Sequence, residues 1–378
     1  MIKHTNARPQ AANYNLLKSL AIFMVIAVHM LSVAELMPAG DVRAYRIHEV
    51  IRTILLTSNG LFFMISGRFL LEHYDGRIGR FYWKRVVKIG IPVLLAAFFY
   101  YWYVYGRNGI GFSFWKGFVK DFLQCHIQGY FWFVFALAGF YLAVPFLAKM
   151  FAAMSQREKR ILTCVTMAYF FIQNLYQIFS LEMVLTSYPF YSWLFYCILG
   201  YLLDSLELSG KEKNWLIRTG GLAFLVSAWE ICFWERENPA IHNYSVTMIL
   251  MTTAIYLAVT TYGAHIAERF SNVINFITRR SFYIYLMHGI TQFWLGEWIS
   301  RYLAGNPTTG LISDGAGTVI RAVPESGGLA RLWLLWLGLS IISYGMALGI
   351  GCALDWIYGP VSKRLIGIKW PIRKGDVK

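Results

Sequence analysis

Two ionisable side chains inside an otherwise apolar run are the first candidates for chemistry. Asn15 to Ala34 reads NLLKSLAIFMVIAVHMLSVA, long enough to cross a bilayer, with Lys18 near its start and His29 near its far end. Their separation along an α-helix is about three turns and a rise of about 16 Å, so the ammonium and the imidazole share one face at two depths. A charge at mid-membrane costs about 2.5 to 3.5 kcal/mol on insertion scales, which turns such a face toward protein or a wet cavity. An imidazole titrates near neutrality and suits general-base work. Two plainer readings stand beside this one: Lys18 snorkels to the headgroups, and His29 makes a helix-to-helix hydrogen bond.

Further polar residues fall on other apolar runs. FFMISGRFLL places Arg68 about one turn from the end of its span, and YWKRVVKIGIP opens the next with Arg85 and Lys88 at i and i+3 on one helical face. A short loop this rich in Arg and Lys either anchors the chain at the membrane surface or holds a phosphate-rich ligand. SAWEICFW carries Glu230 at a depth similar to His29. There it either orients the imidazole of a general base or joins Glu235 and Glu237 at the outer interface. RRSFYIYLMHGI puts His288 about two turns into its span, lining the same cavity or bonding a neighbouring helix. Trp132, at the start of FWFVFALAGFYLAVPFL, belongs to the aromatic belt of that interface. Trp132 and His288 are the candidates for contact with a substrate.

The elements that must carry these residues follow from composition. The chain is 57% hydrophobic and 17% aromatic, with a mean hydropathy of +0.47, which places it among proteins dominated by membrane spans. Apolar runs near 15–34, 51–71, 86–105, 130–148, 161–179, 189–203, 215–234, 244–262, 282–298 and 330–357 predict an all-α, polytopic bundle of about ten transmembrane helices. With the N-terminus inside, 23 of the 35 Lys and Arg residues fall on cytoplasmic segments and ten outside, so both termini are expected in the cytoplasm. The net charge of +15 is then topology and calls for no nucleic-acid partner. Lys3 and Arg8 precede the first run as they would in a signal peptide, but its length and its charged residues mark a retained span.

Cys125, Cys164, Cys197, Cys232 and Cys352 have no paired spacing, and neither a metal-ligand pattern nor a nucleotide-binding glycine motif is present. A Gly-rich outer segment near 299–329, with Pro307 and Pro324, is long for an unstructured connection and predicts a mobile or substrate-facing segment. Residues 1–378 read as a single transmembrane domain with no appended soluble domain.

Together these stretches resemble the acyltransferase-3 family of membrane acyltransferases. The likeness is carried by Lys-x10-His in the first span, LFFMISG in the second, WKRVVKIGIP entering the third, FWFVFALAGFYLAVPFL in the fourth and FYIYLMHG in the ninth. The pieces recur in the family's order and cover most of the chain. The family's first-span basic residue falls on Lys18 and its histidine on His29. Its third-span basic pair falls on Arg85 and Lys88, where the second position is commonly arginine, and Gly60 stands where a proline often precedes the Phe pair.

The resemblance implies transfer of an acyl group, commonly acetyl from acetyl-CoA, to a hydroxyl of a surface glycan or glycolipid in a bacterial cytoplasmic membrane. Acyl-CoA is then a donor substrate and no cofactor is bound tightly; the remaining partner is membrane lipid. Some relatives carry an extracytoplasmic hydrolase-like domain, and without one direct acylation of the acceptor is the simpler route. On this reading His29 is the base, Glu230 its candidate partner, and Lys18, Arg68, Arg85 and Lys88 the counter-charges for the CoA phosphates. The competing reading is an exporter of a glycan or small molecule whose permeation path is lined by Lys18 and His29.

Overall fold

The computed structural model describes residues 7–33, 42–106, 109–182, 188–233, 243–302 and 329–367. Among the described residues the chain is helical and contains no strand. In chain order the helices are α1 (Ala7–Val33), α2 (Val42–Glu72), α3 (Ile78–Arg85), a π-helical turn (Val86–Gly90), α4 (Ile91–Tyr105) and α5 (Phe112–Leu123). A 3-10 turn (Gly129–Phe131) then leads into α6 (Trp132–Ala153), α7 (Gln156–Ile178), α8 (Trp193–Ser205), α9 (Gly210–Phe233), α10 (Val246–Tyr262), α11 (Ala264–Arg269), α12 (Ser271–Tyr302) and α13 (Leu329–Gly367).

Among the described residues seven stretches are long and apolar enough to cross a membrane, counting α3, the π turn and α4 as one, and α8 and α10 are shorter apolar helices. With α12 they correspond to the runs read from sequence, so the protein is a polytopic helical membrane protein. Two elements exceed that reading. α5 turns part of an expected connection into an amphipathic helix whose Phe114 and Phe118 pack on Phe98 and Tyr101 of α4 while Phe112 and Leu123 stay exposed. α2 begins nine residues before its apolar run. The expected loop near 299–329 lies almost wholly outside the described residues, as do Glu235 and Glu237.

Internal packing divides the chain into two compact units. The first comprises Met1–Val28, Gly40–His73 and Phe146–Arg279; the second comprises His29–Ala39, Tyr74–Pro145 and Arg280–Lys378.

The first unit is built on close helix approach. A Cβ at Gly67 of α2 would lie 1.8 Å from the carbonyl oxygen of Cys197, and one at Gly200 of α8 would lie 2.1 Å from that of Met64. Only hydrogen at both positions lets the two backbones meet, which is how small residues drive helix association where water is absent. Beside this seam, Arg68 Nε pairs with Asp204 of α8 and its terminal nitrogen with Glu72 one turn on, and the Tyr14 hydroxyl of α1 donates to the same Asp204 carboxylate. Tyr256 of α10 donates to the Gly200 carbonyl at 3.2 Å. Arg68 is thus matched by two carboxylates of its own unit.

Near the start of α2, His48 Nδ1 lies 3.0 Å from Glu49, whose carboxylate also takes Arg52 at 3.2 Å; His48 and Glu49 are both buried. Sequence reading passed over this group because His48 and Glu49 precede the apolar run.

The Arg68 network yields a first expectation. The side chains of Arg68 and Asp204 are 12% and 16% exposed, so Asp204→Ala leaves a desolvated guanidinium with only the half-exposed Glu72. A loss of about 3 kcal/mol follows, read as a lower unfolding midpoint of the detergent-solubilised protein by intrinsic fluorescence. An unchanged midpoint would make the pair dispensable to the fold.

Candidate active site

The polar residues of the second unit meet on α12. His288 is fully buried, and its Nδ1 lies 2.5 Å from the carbonyl oxygen of Tyr285. A carbonyl only accepts, so Nδ1 carries the proton and Nε2 presents a lone pair. That Nε2 is buried with no hydrogen-bond partner. The ring of His29, from the last turns of α1, packs against it with centroids 5.1 Å apart and planes inclined by 44°. His29 itself is half-buried, so of the two imidazoles it is the less enclosed.

Three tyrosines fix this pair. Tyr130, in the 3-10 turn, lies 4.3 Å from the His288 ring and 6.0 Å from that of His29. Its hydroxyl donates to the Leu286 carbonyl at 3.1 Å, and the Tyr285 hydroxyl donates back to the Tyr130 carbonyl. Tyr100 of α4 donates to the same Leu286 carbonyl at 3.1 Å and accepts from the Ile290 amide at 3.0 Å. In an α-helix that amide and that carbonyl are partners four residues apart, so the Tyr100 hydroxyl bonds to both ends of one rung beside His288. Thr291 closes the far side, donating to the His288 carbonyl at 2.7 Å and lying 2.8 Å from Ser343 of α13.

Gly289 makes the clamp possible. A Cβ there would lie 2.7 Å from both Cε1 and the hydroxyl of Tyr130, whose ring is held by its own hydrogen bond. Gly289→Ala is expected to destabilise the protein by about 1 to 3 kcal/mol through this overlap, measured as a shift in thermal midpoint. A neutral outcome would show that Tyr130 has room to move.

Just before the turn, Cys125 sits 3.8 and 3.9 Å from the carbonyl oxygens of Gln128 and Gly129, and burial raises its pKa. A thiol kept protonated is a weak donor to those carbonyls and a poor nucleophile. All five cysteines are free.

The basic end of the unit is shaped by Pro92. A proline lacks the amide that would continue the ladder and crowds the carbonyl four residues back. The helix answers with the π turn Val86–Gly90, in which the Ile91 amide bonds to the Val86 carbonyl. The next carbonyl, that of Val87, would find Pro92 as its π partner and instead receives the hydroxyl of Tyr358 from α13 at 2.7 Å.

This turn alters the sequence expectation for Arg85 and Lys88. A π turn takes more residues per revolution, so Lys88 falls further off the Arg85 row than i, i+3 spacing in an α-helix implies. Arg85 is half-buried between Phe81 and Tyr141, with its guanidinium carbon 5.0 and 5.5 Å from the ring centroids and its Nε without a hydrogen bond. Lys88 is exposed. Among the described residues neither cation pairs with a carboxylate, in contrast to Arg68.

The other candidates fall as follows. Trp132 opens α6 in the second unit, half-buried and edge-on to Phe133. Lys18 is half-buried on α1, in the part belonging to the first unit, and α1 is helical from Ala7 to Val33 through both Lys18 and His29. Glu230, on α9 of the first unit, is half-buried between the exposed Trp229 and Phe233, with Oε2 lacking a hydrogen bond.

A family model described as an acyltransferase domain, acyltransferase-3, matches residues 12–356. The chain belongs to this family. It is a multi-pass membrane acyltransferase, and the match runs through both compact units. No curated protein and no solved structure matches the chain. Within this acyltransferase, Tyr100, Tyr130 and Tyr285 are the residues that sequence reading missed. They stand in runs such as FFYYWYVY and GYFWF that look like ordinary interfacial aromatics, and the one usable signal was a glycine directly after His288 in MHGI.

Proposed function

We propose that this acyltransferase moves an acetyl group from cytoplasmic acetyl-CoA to a hydroxyl of a surface polysaccharide or lipid-linked glycan in a bacterial cytoplasmic membrane. His29 is the general base. The observation that carries the reading is a half-buried imidazole packed on a second, fully buried one inside an aromatic cluster of a membrane acyltransferase.

His29 takes the proton of the acceptor hydroxyl as its oxygen attacks the thioester carbonyl carbon. The new C–O bond forms, the C–S bond breaks, and His29 returns the proton to the departing CoA thiolate. The surrounding tyrosine and phenylalanine rings exclude water that would otherwise hydrolyse the thioester. Arg85 and Lys88, cations with no carboxylate partner among the described residues, are the counter-charges for the CoA phosphates. Arg68 is left out of that role because Asp204 and Glu72 already neutralise it.

The test is transfer of radiolabel from acetyl-CoA to cell-envelope glycan in membranes with and without the protein. Label that depends on the protein supports the reading. Glycan that reaches the surface only with the protein, carrying no label, would replace it with an exporter.

A further inference from the structure

We infer that His288 is the positioning residue of the reaction, its Nε2 accepting a hydrogen bond from the ring N–H of His29 and so selecting the His29 tautomer that faces the acceptor hydroxyl. The inference rests on His29 being the base and adds the group that prepares it.

His288 has the properties such a partner needs. Its tautomer is set by the backbone, because the Tyr285 carbonyl at 2.5 Å holds the proton on Nδ1. The opposite nitrogen is a buried acceptor with nothing bonded to it, which is costly inside a membrane protein unless another group completes it. The rings packed around His288 are His29 from α1, Tyr130 from the 3-10 turn, and Tyr285 from its own helix, with Tyr100 of α4 one turn away. The tyrosine hydroxyls are committed to backbone carbonyls: Tyr100 and Tyr130 to Leu286, and Tyr285 to Tyr130. His29 is the ring left with an N–H to give.

The centroid separation is 5.1 Å, close enough for a turn of the His29 ring to carry one of its nitrogens toward His288 Nε2. Catalytic hydrogen bonds commonly tighten only when substrate is bound. His288 cannot reach substrate itself, since it is 0% exposed. The clamp of Tyr100, Tyr130 and Gly289 keeps its ring from following His29, and a rigid acceptor orients a mobile donor.

Two substitutions separate this role from simple packing. Asparagine at His288 retains a donor near Nδ1 for the Tyr285 carbonyl but has nothing at the Nε2 position. Glutamine reaches that position with a carbonyl oxygen. His288→Asn is expected to lower kcat for acetyl transfer about 100-fold with the KM for acetyl-CoA unchanged, and to add no further loss in a His29→Ala background. His288→Gln should retain most of the rate. Ring nitrogen-15 spectra of histidine-labelled protein in lipid should show one His29 tautomer in wild type and His288→Gln and a mixture in His288→Asn.

A rate order with Asn above Gln, or a His29 tautomer indifferent to both changes, would overturn the inference. If wild type transfers no label, the proposed function fails, and the spectra still decide the role of His288.

Discussion

His29→Ala is expected to abolish acyl transfer, lowering kcat about 1,000-fold while leaving the KM for acetyl-CoA within about twofold of wild type. Removing a general base takes away an interaction made only as the proton moves, so the loss belongs in kcat and not in donor binding. The fold should survive, because His29 is half-buried at one end of α1 and, among the described residues, its ring closes no hydrogen bond. Matched membranes assayed with labelled acetyl-CoA at saturating donor give the number directly. A variant that keeps even a third of wild-type turnover would remove His29 from the chemistry and return it to helix packing. An exporter, by contrast, would show glycan flux that falls with His29→Ala without any dependence on acetyl-CoA.

The parts of this arrangement visible in the sequence are those whose cost is local. An imidazole inside NLLKSLAIFMVIAVHMLSVA stands out because the bilayer penalises it at its own position, and no partner need be known to notice it. The spans were legible for the same reason: hydropathy is summed along a run. Partnerships between distant segments were not. Arg68 reads as one cation among several near the 77–88 loop, and only the packing of α2 on α8 through Gly67 and Gly200 delivers Asp204 to it. His288 was visible as a polar residue in a span, yet its environment depends on Tyr100 and Tyr130, which arrive from α4 and the turn before α6. The π turn lay between these cases. Pro92 announces that its helix must lose a hydrogen bond, but whether a kink, a break or a widened turn results depends on Tyr358 supplying the missing donor.

Arg85→Met is expected to raise the KM for acetyl-CoA about 30-fold with kcat at saturation little changed, since a hydrogen bond to a charged group contributes about 1.5 to 3 kcal/mol and is made equally to bound donor and transition state. Methionine keeps an apolar stem against Phe81 and Tyr141 and deletes only the charge, which separates phosphate recognition from the packing that an Arg side chain also provides. Arg85→Lys should fall between, because an ammonium retains the charge but not the planar fork. The discriminating probe is acetyl-pantetheine, which carries the same thioester and arm with no phosphate. Wild type should prefer acetyl-CoA strongly, and Arg85→Met should lose that preference by lowering the rate with acetyl-CoA alone. Equal losses with both donors would assign Arg85 to the packing of α3 and the π turn, and no loss with either would move the phosphates to other cations. The geometry favours the first outcome. Among the described residues Arg85 is held by two aromatic faces without a carboxylate to neutralise it, whereas Arg68 already has two.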